Sequence, residues 1–331
     1  MTSHVDLTRS PAHEDAGVLA LDPTDREAIR SLGLELTADP DARIDTPEWI
    51  ALARSLSCRL PARVRESLRR FRRDPGSAGA LLVRGLPVDD VLPATPSDPG
   101  SVERLPSASA AAQVLVSLQL GEVTSFRPEK SGALVQNVVP VPGQEDFQGN
   151  AGSTALKMHV ENAFHDHRPD YVTLLCLRND HDDRAGLRTA SIRLALPLLP
   201  TSVRAVLFEP RFVTNPPPSF GATTSPATPT PILTGHPDDP DIRVDFHATD
   251  PLDVTAADAL TELSHALDAT STTHVLRTGD LALVDNRITL HGRTAFRPRY
   301  DGNDRWLRRT FVHLDLRRSR PTRPADGHVL N

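Results

Sequence analysis

The side chains best suited to chemistry in this 331-residue sequence lie in two short segments: Met158-His159-Val160-Glu161-Asn162 and Val284-Asp285-Asn286-Arg287-Ile288-Thr289-Leu290-His291-Gly292-Arg293. Together they offer two imidazoles and one carboxylate. Such a set binds Fe(II) on one triangular face and leaves the opposite positions for an organic chelator and dioxygen. Residues i and i+2 of an extended strand project to one side, so His159 and Glu161 can enter one pocket while Val160 packs behind them. His291 follows His159 by 132 residues (291 − 159), so the fold has to deliver it from another strand. A His-x-Glu triplet is weak by itself, because 13 His and 43 acidic residues produce such triplets by chance. A zinc hydrolase could use the same three donors.

The segment Arg305-Trp306-Leu307-Arg308-Arg309-Thr310-Phe311-Val312-His313 narrows the choice. It reads as a strand on which Arg305 and Arg309, four residues apart, share a face. Two guanidinium groups aimed at one pocket can each grip a carboxylate as a bidentate fork. A ferrous centre that activates dioxygen commonly takes a 2-oxo acid as chelator and electron source, and the far carboxylate of that acid needs such a clamp. A hydrolase has no use for the clamp. A β-barrel that only binds a sugar or an amino acid has no use for the metal donors.

The rest of the composition excludes other classes. A net charge of −6 argues against a nucleic-acid binder driven by phosphate neutralisation. Cys58 and Cys176 are too few and too far apart for a disulfide scaffold or a cysteine zinc site. Cys176, in the apolar run 172–177, is expected in the core. Residues 1–17 lack an apolar leader and no run approaches the roughly 20 apolar residues of a membrane span, so a cytoplasmic protein without a membrane partner is expected.

The elements that must position these residues read as mainly β. Residues 1–20 read as a loosely ordered tail and 21–331 as one domain. Helical periodicity runs from Pro47 to Arg73, divided by Pro61, with Arg69–Arg73 as a solvated helix end. Gly79–Gly85 opens a sheet, and helices are expected at Ser107–Leu120 and Thr255–Thr270. Strands are expected at Ala133–Val139, Leu156–Val160, Tyr171–Leu177, Arg188–Ile192, Ile242–Phe246, His274–Arg277, Leu281–Val284 and Arg309–Leu314, the pattern of an antiparallel sandwich or barrel. Residues 215–241, rich in Pro, Thr and Ser, read as an active-site lid without regular structure.

These segments resemble the Fe(II)- and 2-oxoglutarate-dependent oxygenases of the clavaminate synthase-like group, in particular the branch that hydroxylates free amino acids such as arginine or asparagine. The resemblance covers about Gly79 to Arg318. It rests on the stretch 82–88, Gln136 in 134–140, the segment 158–178, Gly186-Leu187-Arg188-Thr189 and the long segment 284–312. It implies an α+β, mainly β fold: a double-stranded β-helix (jelly-roll, cupin-like) core flanked by helices, with a lid loop.

The resemblance also implies roles. His159, Glu161 and His291 would hold Fe(II). Arg305 and Thr189 would hold the distal carboxylate of 2-oxoglutarate, with dioxygen as second co-substrate. Arg309 would meet the α-carboxylate of a small-molecule amino-acid substrate, Gln136 with Glu161 its amine, and Asp245 its side chain. Anchoring the acid and the amine would bring C3 nearest the metal, so hydroxylation at C3 in specialised metabolism is implied, with desaturation as the alternative. Relatives that halogenate lack a carboxylate where Glu161 stands. One departure concerns the substrate: arginine hydroxylases present two acidic residues near Asp245, whereas this sequence places Arg243 and His247 beside it. A single carboxylate suits an ammonium or an amide at least as well, so arginine, lysine, ornithine, citrulline, asparagine and cyclic relatives all fit.

Overall fold

The apolar runs of the middle and C-terminal sequence become the strands of two sheets, seen in a computed structural model that describes residues 17–221 and 228–331. The larger sheet has nine strands. Its main path runs Val18–Ala20, Ala80–Arg84, Leu281–Asp285, Tyr171–Arg178, Trp306–His313, Glu122–Phe126 and Val329–Leu330. Val135–Val138 also pairs with Trp306–His313 and carries Val102–Glu103 on its far side. Pairing is antiparallel except at the two ends of the main path. The smaller sheet is a four-stranded antiparallel array in the order Thr272–Val275, Gly186–Ser191, Thr289–Arg293, Leu156–His159.

The period of two along a strand sorts the core into layers. In Tyr171–Arg178, residues Tyr171, Leu175 and Leu177 join the helical layer behind the large sheet, while Val172, Leu174 and Cys176 join Leu187 of the small sheet in the cluster between the two. Trp306 and Val312 likewise face the helices, and Leu307 and Phe311 face inward. Cys176 is buried, as expected.

The helical layer comprises Pro23–Leu36, Pro47–Ser57, Ala62–Arg73 and Ala108–Ser117. In the last of these every residue from Ser109 to Ser117 is buried, so its polar side chains need partners. Gln113 Nε2 donates to Thr173 Oγ1 at 3.2 Å and to the Arg308 carbonyl at 3.1 Å, which pins the helix to the two central strands. On the other side of the molecule, Val254–Ala269 and Thr201–Leu207 contribute to a further apolar cluster with Ala190 and Leu290 of the small sheet. A fully buried leucine or phenylalanine contributes roughly 1.5–3 kcal/mol, which makes these clusters the main support of the scaffold.

Three expectations need correction. The tail does not extend to residue 20: residues 1–16 lie outside the described residues, but Val18–Ala20 pairs in parallel with Leu82–Arg84 and forms the sheet edge. The helix Pro23–Leu36 was missed although Asp22 caps it, with a reciprocal contact to Asp25, and Pro23 occupies its first turn. Residues 215–241 are not uniformly irregular, because Leu233–His236 and Asp239–Ile242 form an antiparallel hairpin. Two prolines in the turn region hid the alternation that buries Leu233 and Ile242. The strand expected at Ile242–Phe246 therefore ends at Ile242, and beyond it only Asp245 bridges to His159.

Candidate metal centre and its two flanks

Register in the small sheet sets the metal donors. His291 lies opposite His159 on one neighbouring strand and opposite Thr189 on the other. Cross-strand partners point to the same face, so His159, His291 and Thr189 form a row across three strands. Gly292 permits this closeness, since a Cβ there would stand 2.6 Å from the Leu156 carbonyl oxygen, a backbone atom that cannot move aside. Glu161 follows two residues after His159, beyond the strand end, and Asn162 turns the chain with φ 52°.

The three expected metal residues converge. One donor atom from each of His159, Glu161 and His291 lies within 4.8 Å of the others. The two rings are 4.5 Å apart, and His291 Nε2 is 3.5 Å from Glu161 Oε2. His159 Nδ1 lies 2.9 Å from the Lys157 carbonyl; a carbonyl can only accept, so Nδ1 is the donor of this bond and Nε2 is the nitrogen left for a metal. Glu161 Oε2 and His291 Nδ1 are buried without hydrogen-bond partners among the described residues. Burial opposes ionisation of Glu161, yet Arg309 and the two imidazoles outweigh it and hold its carboxyl well below the usual range. Burial and the neighbouring His159 push the pKa of His291 down. One carboxylate and two imidazoles, with an orphaned oxygen among them, fit a divalent cation.

Second contacts hold these ligands in place. Asn286 is fully buried and grips the Glu161 peptide. Arg243 donates to the carbonyls of Ala163 (2.5 Å) and Phe164 (2.8 Å), which ties down the chain just beyond Glu161. Arg243 therefore does not neutralise Asp245, although the two are near neighbours in sequence.

On one flank of the metal donors a cavity of about 730 Å³ opens. Among the residues that line it are His159, Glu161, Asp245 and Arg309, and also Glu129, Asn150 and Phe220. Arg309 is buried at 3% exposure. Its Nη1 donates to Glu161 Oε1 at 2.9 Å, its Nη2 donates to Glu129 and to Gln136 Oε1 at 2.6 Å, and the Asn150 amide lies 3.5 Å from Nη1. Burial raises the pKa of Glu129, against the pull of Arg309. Asp245 Oδ1 accepts from the His247 N–H at 2.8 Å, while Oδ2 has no donor among the described residues.

Gln136 corrects an expectation. Both ends of its amide are spent, Oε1 on Arg309 and Nε2 on the Ala133 carbonyl, and it does not line the cavity. It orients Arg309 from behind. Glu129 and Asn150, which the sequence reading missed, face the cavity instead. Both sit in loops, where no periodicity marks them.

Arg305 lies away from this cavity. It is buried at 4% exposure, its Nε has no partner, and no carboxylate lies within ion-pair distance among the described residues. Burial pushes its guanidinium down to about 10, so it stays charged at neutral pH. A buried, uncompensated cation calls for an anion. Of the other histidines, His181 makes a direct contact of 3.0 Å with Asp301, and His165 stacks among aromatic rings.

A buried two-histidine, one-carboxylate centre flanked by unpaired guanidinium on one side and a cavity on the other defines a non-haem metal oxygenase. The chain belongs to the family described as taurine catabolism dioxygenase TauD, TfdA, whose model matches residues 53–311. It is an Fe(II)- and 2-oxoglutarate-dependent dioxygenase. The L-asparagine oxygenase of Streptomyces coelicolor is 54% identical over 313 residues, 94% of each chain. Clavaminate synthase 2 of Streptomyces clavuligerus is 36% identical over 295 residues, 88% of this chain and 90% of that one. A crystal structure of asparagine oxygenase in complex with Fe(II), 2S,3S-3-hydroxyasparagine and succinate matches with a TM-score of 0.92 and 54% identity, covering 95% of this chain and 98% of that one. No described helix is long and apolar enough to cross a membrane.

Proposed function

We propose that this enzyme hydroxylates free L-asparagine at C3. It is an amino-acid hydroxylase, and desaturation is not favoured. The observation that carries the substrate reading is the polar set at the cavity, Arg309 with Glu129 and Asn150 at one point and a lone Asp245 elsewhere on the wall. A zwitterion suits the first group, its carboxylate toward Arg309 and its ammonium toward Glu129. A short carboxamide suits Asp245, which can accept from an amide N–H. Similarity to an asparagine oxygenase at 54% identity supports the same choice. We read the two sheets as a double-stranded β-helix and the whole of 21–331 as one oxygenase domain.

His159, Glu161 and His291 would hold Fe(II), and Arg305 with Thr189 the distal carboxylate of 2-oxoglutarate. When bound, the metal and 2-oxoglutarate supply the oxidising power, with dioxygen, for C–H hydroxylation and release succinate and carbon dioxide. The chain's own part is placement and exclusion of water. Arg309 and Glu129 fix the α-carbon substituents, which leaves the β-carbon to face the metal. The segment 215–220, whose Phe220 packs on Phe164 with ring centroids 4.7 Å apart, forms the near part of a lid over the cavity; residues 222–227 of the expected lid lie outside the described residues. The product class fits specialised metabolism, including antibiotic assembly.

The deciding experiment is succinate release from 2-oxoglutarate under air with each proteinogenic amino acid and with ornithine and citrulline. L-Asparagine should stimulate release most, with a 3-hydroxy product by NMR. Stimulation by lysine or arginine instead would overturn the substrate and keep the class.

A further inference from the structure

Arg293 leaves its strand two residues after His291, on the same face as that ligand and Thr189. Its guanidinium meets the Phe296 ring with 5.6 Å from Cζ to the ring centroid, and Arg305 meets the same ring at 5.7 Å. One cation comes from the small sheet and the other from the end of the large one. Both are buried, at 4% exposure each, and neither has a carboxylate within ion-pair distance among the described residues. Two like charges this close in a dry space repel each other, and an anion placed between the sheets relieves both. Arg293 has a second attachment. Its Nη2 donates to the Thr154 carbonyl at 3.0 Å and its Nη1 to the Gly149 carbonyl at 3.4 Å, while the Phe296 N–H donates to the Ser153 carbonyl at 3.0 Å. The loop 149–154 thus hangs on Arg293 and Phe296, and it carries Asn150, which reaches Arg309 in the amino-acid cavity.

We infer that Arg293 is a positioning residue that couples the two halves of the site: 2-oxoglutarate compensates the Arg293–Arg305 pair, and Arg293 then holds the loop 149–154, and with it Asn150, in place for the amino acid. This rests on the reading of Arg305 as the co-substrate clamp. Without the co-substrate, repulsion loosens Arg293 and the loop exchanges freely. With it, the two carbonyl contacts tighten. The coupling has the size usual for linked sites, about tenfold.

The test is amide hydrogen exchange in the loop 149–154 of the Fe(II)-loaded protein under argon, with and without 2-oxoglutarate, beside calorimetric binding of 2-oxoglutarate. In the native protein the co-substrate should slow exchange about tenfold. In Arg293→Met, 2-oxoglutarate should still bind through Arg305, weakened by about tenfold, and the slowing should vanish. Arg293→Lys keeps the charge but cannot span two carbonyls as a fork, so affinity should stay within about threefold of native while the slowing is lost. Arg293→Lys also serves should the methionine variant fail to fold. A variant that binds 2-oxoglutarate and still shows native slowing overturns the inference alone. A native protein that takes up no 2-oxoglutarate overturns the inference together with the clamp reading.

Discussion

Asn286 holds the Glu161 peptide at both ends: its Oδ1 accepts from the Glu161 N–H at 2.7 Å, and its Nδ2 donates to the Glu161 carbonyl at 3.1 Å. The same Nδ2 donates to the Pro169 carbonyl at 2.8 Å, and the side chain is fully buried. One amide therefore sets the position of the carboxylate donor from a residue five places before His291. Asn286→Ala leaves these backbone groups unpaired. Metal affinity should fall by about 10- to 100-fold, as for outer-shell contacts generally. Asn286→Asp should do no better, because a carboxylate cannot donate to the two carbonyls. Titration with Mn(II) followed by calorimetry measures this, and a native affinity in either variant would refute the role.

Metal should also stabilise the fold, since it ties His291 to a segment, His159–Glu161, far away in sequence. Mn(II) at a hundred times its dissociation constant adds about 2.7 kcal/mol to the native state. His159→Ala and Glu161→Ala should show no metal-dependent rise in melting temperature and no turnover. A rise that persists in both variants would place the ion elsewhere.

Arg305 and Arg309 should separate kinetically. Arg305→Met removes the buried cation from the co-substrate side, and the KM for 2-oxoglutarate should rise about a hundredfold, equivalent to roughly 3 kcal/mol. Arg309→Met should chiefly raise the KM for the amino acid. Steady-state kinetics with each substrate varied in turn decides the matter, and the opposite pattern would mean the two roles are exchanged.

Asp245→Ala should weaken L-asparagine by about 10- to 100-fold, the loss of one hydrogen bond to a charged group. The affinity for 2-oxoglutarate should be unaffected, because Asp245 lines the cavity from which Arg305 lies away. Equal losses for both ligands would show that Asp245 supports the metal strand it bridges rather than the substrate.

His165 gives the fold an acid limit. Burial, with His167 adding positive charge, pushes its imidazole down to about 4. It is surrounded by Phe126, Phe164 and Phe220. Below its ordinary value of 6.5 the unfolded chain takes up a proton that the folded chain refuses, so stability should fall as pH drops from about 6.5 towards 4 and change no further through this group below that. His165→Phe should flatten this part of the profile in urea unfolding measured between pH 7.5 and 4.5. An unchanged slope would assign the loss to other groups.

How much of this was readable beforehand follows from where each residue sits. His159, Glu161, His291, Arg305 and Arg309 lie on or beside strands, where a period of two states which side chains share a face. The helices expected at Thr255–Thr270 and Ser107–Leu120 appear as Val254–Ala269 and Ala108–Ser117, with Asp253 and Ser107 as their N-caps. Glu129 and Asn150 gave no such signal. Glu129 precedes a left-handed turn at Lys130 and Ser131, and Asn150 sits in a loop fixed by Arg293 from across the molecule. Their positions depend on contacts distant in sequence, and so did the misplacement of Gln136, whose side chain turns away from the cavity to serve Arg309.

The division between strands and loops bears on how such an enzyme acquires new selectivity. The metal donor His291, Thr189 and Arg305 sit on or at the end of strands of the two sheets, whereas Glu129, Asn150, Asp245 and Phe220 lie in connecting segments. Connections can change length and composition without shifting strand register. Retargeting to a longer or more basic amino acid can therefore proceed by remodelling those connections, while the oxidising machinery is left as it stands.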